Sequence, residues 1–255
     1  MRVVMLGSGN TATVLCKVIA NAGHTIVQVV SRDEEHAKLL AALYAATFGS
    51  IGVPELAEAD IYIVALNDTV LDHIENIKGI SNKLVVHTAG SVSIDVFSRC
   101  TSTYGVLYPL QTLSKASNHI PKIPFLIDGN NKETLHQILG FAKSISNTVI
   151  EANDAQRLHY HIAAVIASNF ATHMYAISEL YCNKERLDFK TLIPLIEETT
   201  QRATEISPFL SQTGPAVRDD VFTLSKHLQA LSSHPDIKYL YLKLSESIIK
   251  LHGKH

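Results

Sequence analysis

Little in this chain of 255 residues points to a metal, a membrane or a nucleic acid. It has three cysteines, Cys16, Cys100 and Cys182, an odd number at wide spacing. That argues against a disulfide framework or thiolate metal site and reads as reduced thiols of a cytoplasmic protein. No Cys-x-x-Cys or His-Glu-x-x-His occurs, although there are 13 histidines. His159 and His161 would lie roughly 200° apart on a helix, too far round to share an ion. Charge is balanced as well, with 22 basic and 24 acidic residues, of which residues 1–150 hold 11 and 12. Neither half has the excess of a nucleic-acid binder. No apolar run has membrane-spanning length, and the N-terminus reads as a folded strand rather than a signal peptide. The partner left to expect is a small-molecule substrate, with no nucleic acid and no membrane.

What the chain does have is concentrated at its start. An apolar strand, Val3–Leu6, runs into Gly7-Ser8-Gly9-Asn10-Thr11-Ala12, and an amphipathic helix follows over Asn10–Ala22. Gly-x-Gly-x-x-Ala in that setting brings backbone N–H groups and a helix N-terminus up to a pyrophosphate. Gly7 permits the tight turn, Gly9 leaves room for phosphates, and Ala12 lets the helix pack close to the sheet. Gly23 stops the helix, and the strand Thr25–Val30 completes a βαβ unit. A bound dinucleotide is the expectation, held by Gly7, Ser8, Gly9, Asn10, Thr11 and Ala12. A phosphate-free strand–helix turn is the plainer alternative.

NAD sites usually end the second strand in Asp or Glu, which holds the ribose 2′-OH. Here Ser31 and Arg32 stand at that point. A hydroxyl and a guanidinium suit a 2′-phosphate, which a carboxylate would repel. NADP is therefore expected over NAD. The alternative makes Arg32 an exposed loop residue, and Asp33 caps the next helix in either case.

Strands and helices alternate through residue 151. Helices are predicted over Asp33–Ala46, Thr69–Ile77 and Lys132–Ser144, and strands over Asp60–Leu66, Lys83–His87, Gly105–Tyr108, Pro124–Ile127 and Thr148–Glu151. This predicts an α/β fold, doubly wound and Rossmann-like, with a largely parallel sheet and ligands at the carboxyl ends of its strands. Three segments fall at such ends and should ring one cleft: Leu66-Asn67-Asp68, His87-Thr88-Ala89-Gly90-Ser91 and Tyr108-Pro109-Leu110-Gln111. Leu66, Asn67, Asp68, His87, Thr88 and Ala89 are candidate cofactor contacts, and Gly90 and Ser91 candidate substrate contacts. Asp68 as a helix cap and His87 as a loop brace are the structural alternatives. Residues 154–182 contain no Gly or Pro and carry a helical apolar pattern. Further helices are predicted over Asp188–Ile206, Asp219–Leu231 and Asp236–Leu251, with a short turn near Phe209. Residues 1–152 are thus expected to form the nucleotide-binding domain and residues 153–255 an all-α domain. The latter would serve substrate binding and homodimerisation, since long apolar helices need more burial than one small domain offers.

This domain order resembles the 6-phosphogluconate dehydrogenase-like reductases, which include β-hydroxyacid dehydrogenases, pyrroline-5-carboxylate reductases and coenzyme-F420-dependent NADP oxidoreductases. A narrower resemblance is carried by Leu6–Ala12, His87–Ser91, Tyr108–Thr112, Tyr160–Val165 with Ser168-Asn169, and Gly214–Asp219. These segments, in this order, are similar to bacterial NADP oxidoreductases that join a Rossmann-like domain to a C-terminal domain of unknown function. The resemblance spans essentially the whole chain. It implies an NADP-dependent oxidoreductase passing a hydride between nicotinamide and a small carbonyl or imine, without implying which. A non-catalytic NADP-binding sensor is the alternative.

One departure bears on mechanism. β-Hydroxyacid dehydrogenases of the wider group carry a catalytic Lys on the interdomain helix with an Asn four residues later. Here Asn169 is present, but Val165 stands in the lysine's place and no Lys occurs between Lys143 and Lys184. At 100° per residue Arg157, His161 and Ser168 fall within about 40° of each other, with Asn169 some 80° from His161. Such a polar stripe makes His161 a candidate general acid, with Ser168 and Asn169 positioning a substrate oxygen. A structural histidine bonded across the domain interface is the alternative. Arg218, ahead of the predicted helix Asp219–Leu231, opposes the dipole there and is a candidate for gripping a substrate anion, or else a solvated ion pair.

Overall fold

The opening apolar run becomes β1 (Arg2–Leu6), whose Val3, Val4, Met5 and Leu6 are fully buried. In the computed structural model, which describes residues 1–51, 56–71, 79–117 and 119–252, it leads to α1 (Asn10–Asn21), β2 (Thr25–Ser31), α2 (Glu34–Ala42), β3 (Thr47–Ser50) and β4 (Ile61–Val64). Then come α3 (Asp68–Leu71), β5 (Leu84–His87), β6 (Thr103–Pro109), β7 (Phe125–Gly129), α4 (Lys132–Ile145) and β8 (Val149–Glu151). The remaining elements are helical: α5 (Asp154–Ala164), a π-helical segment Val165–Phe170, α6 (Ala171–Lys184), α7 (Ile193–Glu205), α8 (Pro208–Ser211), α9 (Val221–Ala230) and α10 (Pro235–His252).

The eight strands form one sheet in the order β3-β2-β1-β4-β5-β6-β7-β8. Every neighbouring pair is parallel except β6 and β7. The order reverses between β1 and β4, which makes that junction the switch point where ligands of doubly wound sheets bind. Both faces of the sheet are covered, so β1 is apolar at successive positions rather than alternately. Val3 and Met5 pack in one cluster with Leu15 and Ile19 of α1 and Ile138 of α4. Val4 and Leu6 join Tyr62, Val85 and Phe97 in the other.

The structure differs from expectation in several element bounds. The helix predicted to Ala46 ends at Ala42, because the chain turns through Ala45 at a φ of 52° and then forms β3 against β2. A four-residue edge strand containing a glycine, Thr47-Phe48-Gly49-Ser50, carries too little periodicity to announce itself. The helix expected over Asp219–Leu231 begins at Val221, where the Asp220 carboxylate accepts from the Thr223 N–H at 3.0 Å. Of the helix predicted over Thr69–Ile77, residues beyond Leu71 lie outside the described residues.

The chain divides into two compact units, Met1–Phe170 and Ala171–His255. The first extends past the expected boundary at residues 152/153, because Asp154, Arg157 and His161 are bonded into the sheet-bearing unit. Among the described residues of the second unit Cys182, Ala216, Leu231 and His234 are buried. His234 holds Glu185 through Nε2 at 2.6 Å and meets the Tyr181 ring edge-on. No described helix is long and apolar enough to cross a membrane.

Candidate active site

The glycine turn sits at the switch point. Gly7 has a φ of +131°, and a Cβ there would lie 2.3 Å from the Ala65 carbonyl oxygen, so no other residue fits without moving the backbone. Its N–H donates to Val30 O at 2.7 Å, while Ala65 N–H donates to Leu6 O at 2.8 Å. Gly9, the N-cap of α1, is the opposite case: none of the described residues has an atom within 4 Å of a Cβ built on it. Among the described residues no side chain caps α1, and its first turn has no acidic residue, so the protein places no negative charge on the positive end of this helix. Ala12 is fully buried, as close packing of helix on sheet requires.

Around the turn several candidate side chains are engaged within the protein. Ser8 Oγ donates to Ser31 Oγ at 2.8 Å, and Asp33 N–H donates to the same oxygen at 3.3 Å. Ser31 is thus the last residue of β2, buried, and braces the turn rather than standing free at a strand tip. Arg32 beside it is exposed, and Asp33 caps α2 by accepting from His36 N–H at 3.0 Å. Asn10 Oδ1 accepts from the Lys115 backbone N–H at 3.1 Å, which ties the loop after β6 to the start of α1.

The loops after β4 and β5 are joined to each other. Ser91 Oγ donates to the Asp68 carboxylate, while Leu66 is half-buried and Asn67 exposed. His87 is fully buried, which corrects its reading as a cofactor contact. Its ring lies 5.8 Å from that of Phe97, and its Nδ1 accepts from Ala89 N–H at 3.2 Å. Burial first, and then the Arg157 charge, push its pKa down to about 3, so it stays neutral and braces the turn into Thr88 and Ala89, both nearly buried.

A cleft of about 440 Å³ opens beside this turn, lined by Thr11, Thr88, Tyr108, His161, Ser168 and Asn169 among others. The Tyr108 hydroxyl lies 2.9 Å from His161 Nδ1, with the rings edge-to-face at 5.8 Å. The Thr112 and Ser168 hydroxyls are 2.7 Å apart. Gly90 lies under the histidine: a Cβ on it would stand 2.8 Å from His161 Cγ and Nδ1. Its lack of a side chain is therefore used by the imidazole.

The π-helical segment changes the stripe drawn from α-helical spacing. A π-turn holds more residues than an α-turn, so each advances less around the axis, and Ser168 and Asn169 line the cleft together with His161. Arg157 departs from them. It is 1% exposed, donates through Nη2 to the Val92 carbonyl and to Asp154 Oδ1, and leaves Nε and Nη1 buried without a partner among the described residues. Asp154 also accepts from Ile94 N–H at 3.1 Å. Burial raises the Asp154 pKa, but hydrogen bonds from Ser93, Arg157 and Ile94 outweigh it and hold the carboxyl below its usual range. This pair clamps the loop after Gly90 onto α5.

Tyr108 belongs to a segment expected at the cleft by its place at the end of β6, but it was not among the candidate contacts, and only its distance to His161 gives it a role. Arg218 stands exposed in the second unit, ahead of α9, and every residue lining this cleft belongs to the first.

Comparison with known proteins bears on this arrangement. Residues 2–91 match the family described as NADP oxidoreductase coenzyme F420-dependent, and residues 123–248 match a domain of unknown function, DUF2520. The structure described as "putative NADP oxidoreductase BF3122 from Bacteroides fragilis" is 38% identical, covers 98% of each chain and superposes with a TM-score of 0.91. The chain belongs to this NADP oxidoreductase family. Protein TM1727 from Thermotoga maritima shares the fold at 20% identity, with a TM-score of 0.81 over 99% of this chain and 100% of that one. A reductive aminase from Aspergillus terreus, in complex with NADPH and ethyl-5-oxohexanoate, shares it at 13% identity, with a TM-score of 0.75 over 100% and 96% of the two chains. No curated protein matches the sequence.

Proposed function

We propose that this member of the family is an NADPH-dependent reductase of a small carbonyl or imine compound, acting in the cleft beside the glycine turn. One observation carries the reading: Thr11, in the first turn of α1, lines the same cleft as Thr88, Tyr108, His161, Ser168 and Asn169. A pyrophosphate seated on the open N-terminus of α1 is then close to a set of neutral hydrogen-bonding side chains.

The residues fit a dinucleotide phosphate. Gly9 is open, the α1 N-terminus is uncapped, and Arg32 is an exposed cation next to the end of β2, suited to a 2′-phosphate. When bound, NADPH supplies a hydride at its nicotinamide ring. Ser8 and Ser31 keep the turn in shape, Asn10 holds the loop after β6, and Gly90 lets that side of the cleft approach His161. His161 offers a hydrogen-bond donor to the substrate oxygen or nitrogen, and Ser168 and Asn169 orient the substrate.

A second copy of the chain is part of this reading. Leu180, Leu187, Leu195, Leu210, Phe222 and Leu251 of the helical unit are all at least 49% exposed, a surface that a homodimer would cover. The three cysteines form no disulfide, which suits a reducing cytoplasm.

The test is steady NADPH oxidation across a panel of small ketones, aldehydes and cyclic imines. Turnover of at least one compound, lost in His161→Ala, is expected. Tight NADPH binding with no turnover across the panel would leave a nucleotide-binding protein instead of an enzyme.

A further inference from the structure

Among the described residues the hydroxyl of Tyr108 has one hydrogen-bond partner, His161 Nδ1. Two arrangements satisfy a distance of 2.9 Å: either the phenol donates to Nδ1, or Nδ1–H donates to the phenol oxygen. They are not equivalent for the tyrosine. Tyr108 is 8% exposed and lines the cleft, and in the second arrangement its own O–H would have no protein acceptor among the described residues and would depend on solvent in the cleft. A donor paired inside the protein does not depend on cleft solvent for its partner. In the first arrangement the O–H is satisfied within the protein, and the donor that faces the cleft is Nε2–H.

The rest of the imidazole agrees with the first arrangement. Gly90 packs against Cγ and Nδ1, so the ring edge bearing Nε2 faces away from that loop. Nε2 has no protein partner among the described residues and is not among the buried unsatisfied atoms, so solvent in the cleft reaches it. Burial first, and then the Asp68 charge, push the Tyr108 phenol above its usual range, so it keeps its proton.

We propose that Tyr108 fixes the proton of neutral His161 on Nε2, so that the cleft meets its substrate with a donor suited to an unprotonated carbonyl oxygen or imine nitrogen. Tyr108 is then a positioning residue acting through His161. The proposal rests on reading the cleft as a reductase site, and it names the atom that meets the substrate. A donor at Nε2 stabilises the charge that develops on an acceptor atom during reduction.

Long-range proton–nitrogen NMR of the full-length protein without nucleotide reads the tautomer directly, with the His161 signals assigned by their loss in His161→Gln. Nδ1 unprotonated and Nε2 protonated is expected in the wild type. Tyr108→Phe should bring in Nδ1-protonated imidazole and lower kcat roughly tenfold to a hundredfold, as loss of a partner that orients a histidine does, with the KM for NADPH held. Nδ1 carrying the proton in the wild type would overturn the proposal, as would a Tyr108→Phe variant with unchanged tautomer and kcat. The spectrum needs no turnover. An inactive protein with the expected spectrum would count against the reductase reading and leave the hydrogen bond assigned.

Discussion

Gly90 and His161 share one space: a Cβ on the glycine would stand 2.8 Å from both Cγ and Nδ1 of the imidazole and 3.1 Å from its Cβ. The loop after β5 and helix α5 are therefore in register only while residue 90 lacks a side chain. Gly90→Ala should move the imidazole off Tyr108, lowering kcat by an order of magnitude or more while NADPH affinity changes little. Isothermal titration with NADPH alongside steady-state kinetics separates the two quantities.

The two glycines of the N-terminal turn should respond oppositely. Gly7→Ala places a Cβ 2.3 Å from Ala65 O at a φ of +131° and is expected to destabilise the fold by about 3 kcal/mol or more. Gly9→Ala enters open space at an extended backbone, with φ of −79°. Its stability should stay within about 0.5 kcal/mol of wild type. NADPH affinity should nevertheless fall, since the added methyl occupies the room kept for phosphate. Urea midpoints and nucleotide titrations of the two variants check this.

His87 gives the fold a definite acid sensitivity. Its pKa falls from 6.5 to about 3 on folding, with burial the main cause, so the unfolded chain takes up a proton that the folded chain refuses. The stability from its neutral form is complete above pH 6.5 and declines as pH falls towards about 3. The slope is at most about 1.4 kcal/mol per pH unit from this one group. His24, lowered by burial and the charged N-terminus, adds in the same direction. Unfolding free energies at pH 7 and pH 5 should therefore differ more in the wild type than in His87→Gln, while equal differences would remove His87 from the effect.

Arg157 and Asp154 should couple strongly. Asp154→Ala leaves a guanidinium that is 1% exposed without its counter-ion, an expected loss of about 3 kcal/mol or more. Arg157→Met combined with Asp154→Ala should recover part of that, because the charge left unpaired is gone. A double-mutant cycle by chemical denaturation measures the coupling, and additive losses would contradict it.

Much of this was legible in the sequence for identifiable reasons. The turn Gly7–Ala12 and its strand–helix setting are local, and local chemistry dictated the conformation that Gly7 adopts. Alternation of strands and helices gave the doubly wound sheet. Edge strand β3 was not legible, because four residues paired on one side carry little pattern. The cleft was half legible. His161, Ser168 and Asn169 stood out as polar residues on an apolar helix, but the π-helical segment that carries both Ser168 and Asn169 to the cleft has no marker in composition. His87 misled because a strand-end histidine looks the same in sequence whether it faces the cleft or Phe97. Tyr108 gained its meaning only when the fold brought His161, 53 residues later, within hydrogen-bonding distance.

The direct measurement of the central claim is isotopic. NADPH deuterated at the transferring nicotinamide position, mixed with the protein and a compound it turns over, should yield a product carrying one deuterium on the former carbonyl or imine carbon. His161→Ala should slow that transfer while leaving NADPH binding in place. Product formed without deuterium from either face of the nicotinamide, or full transfer in His161→Ala, would contradict hydride transfer in this cleft.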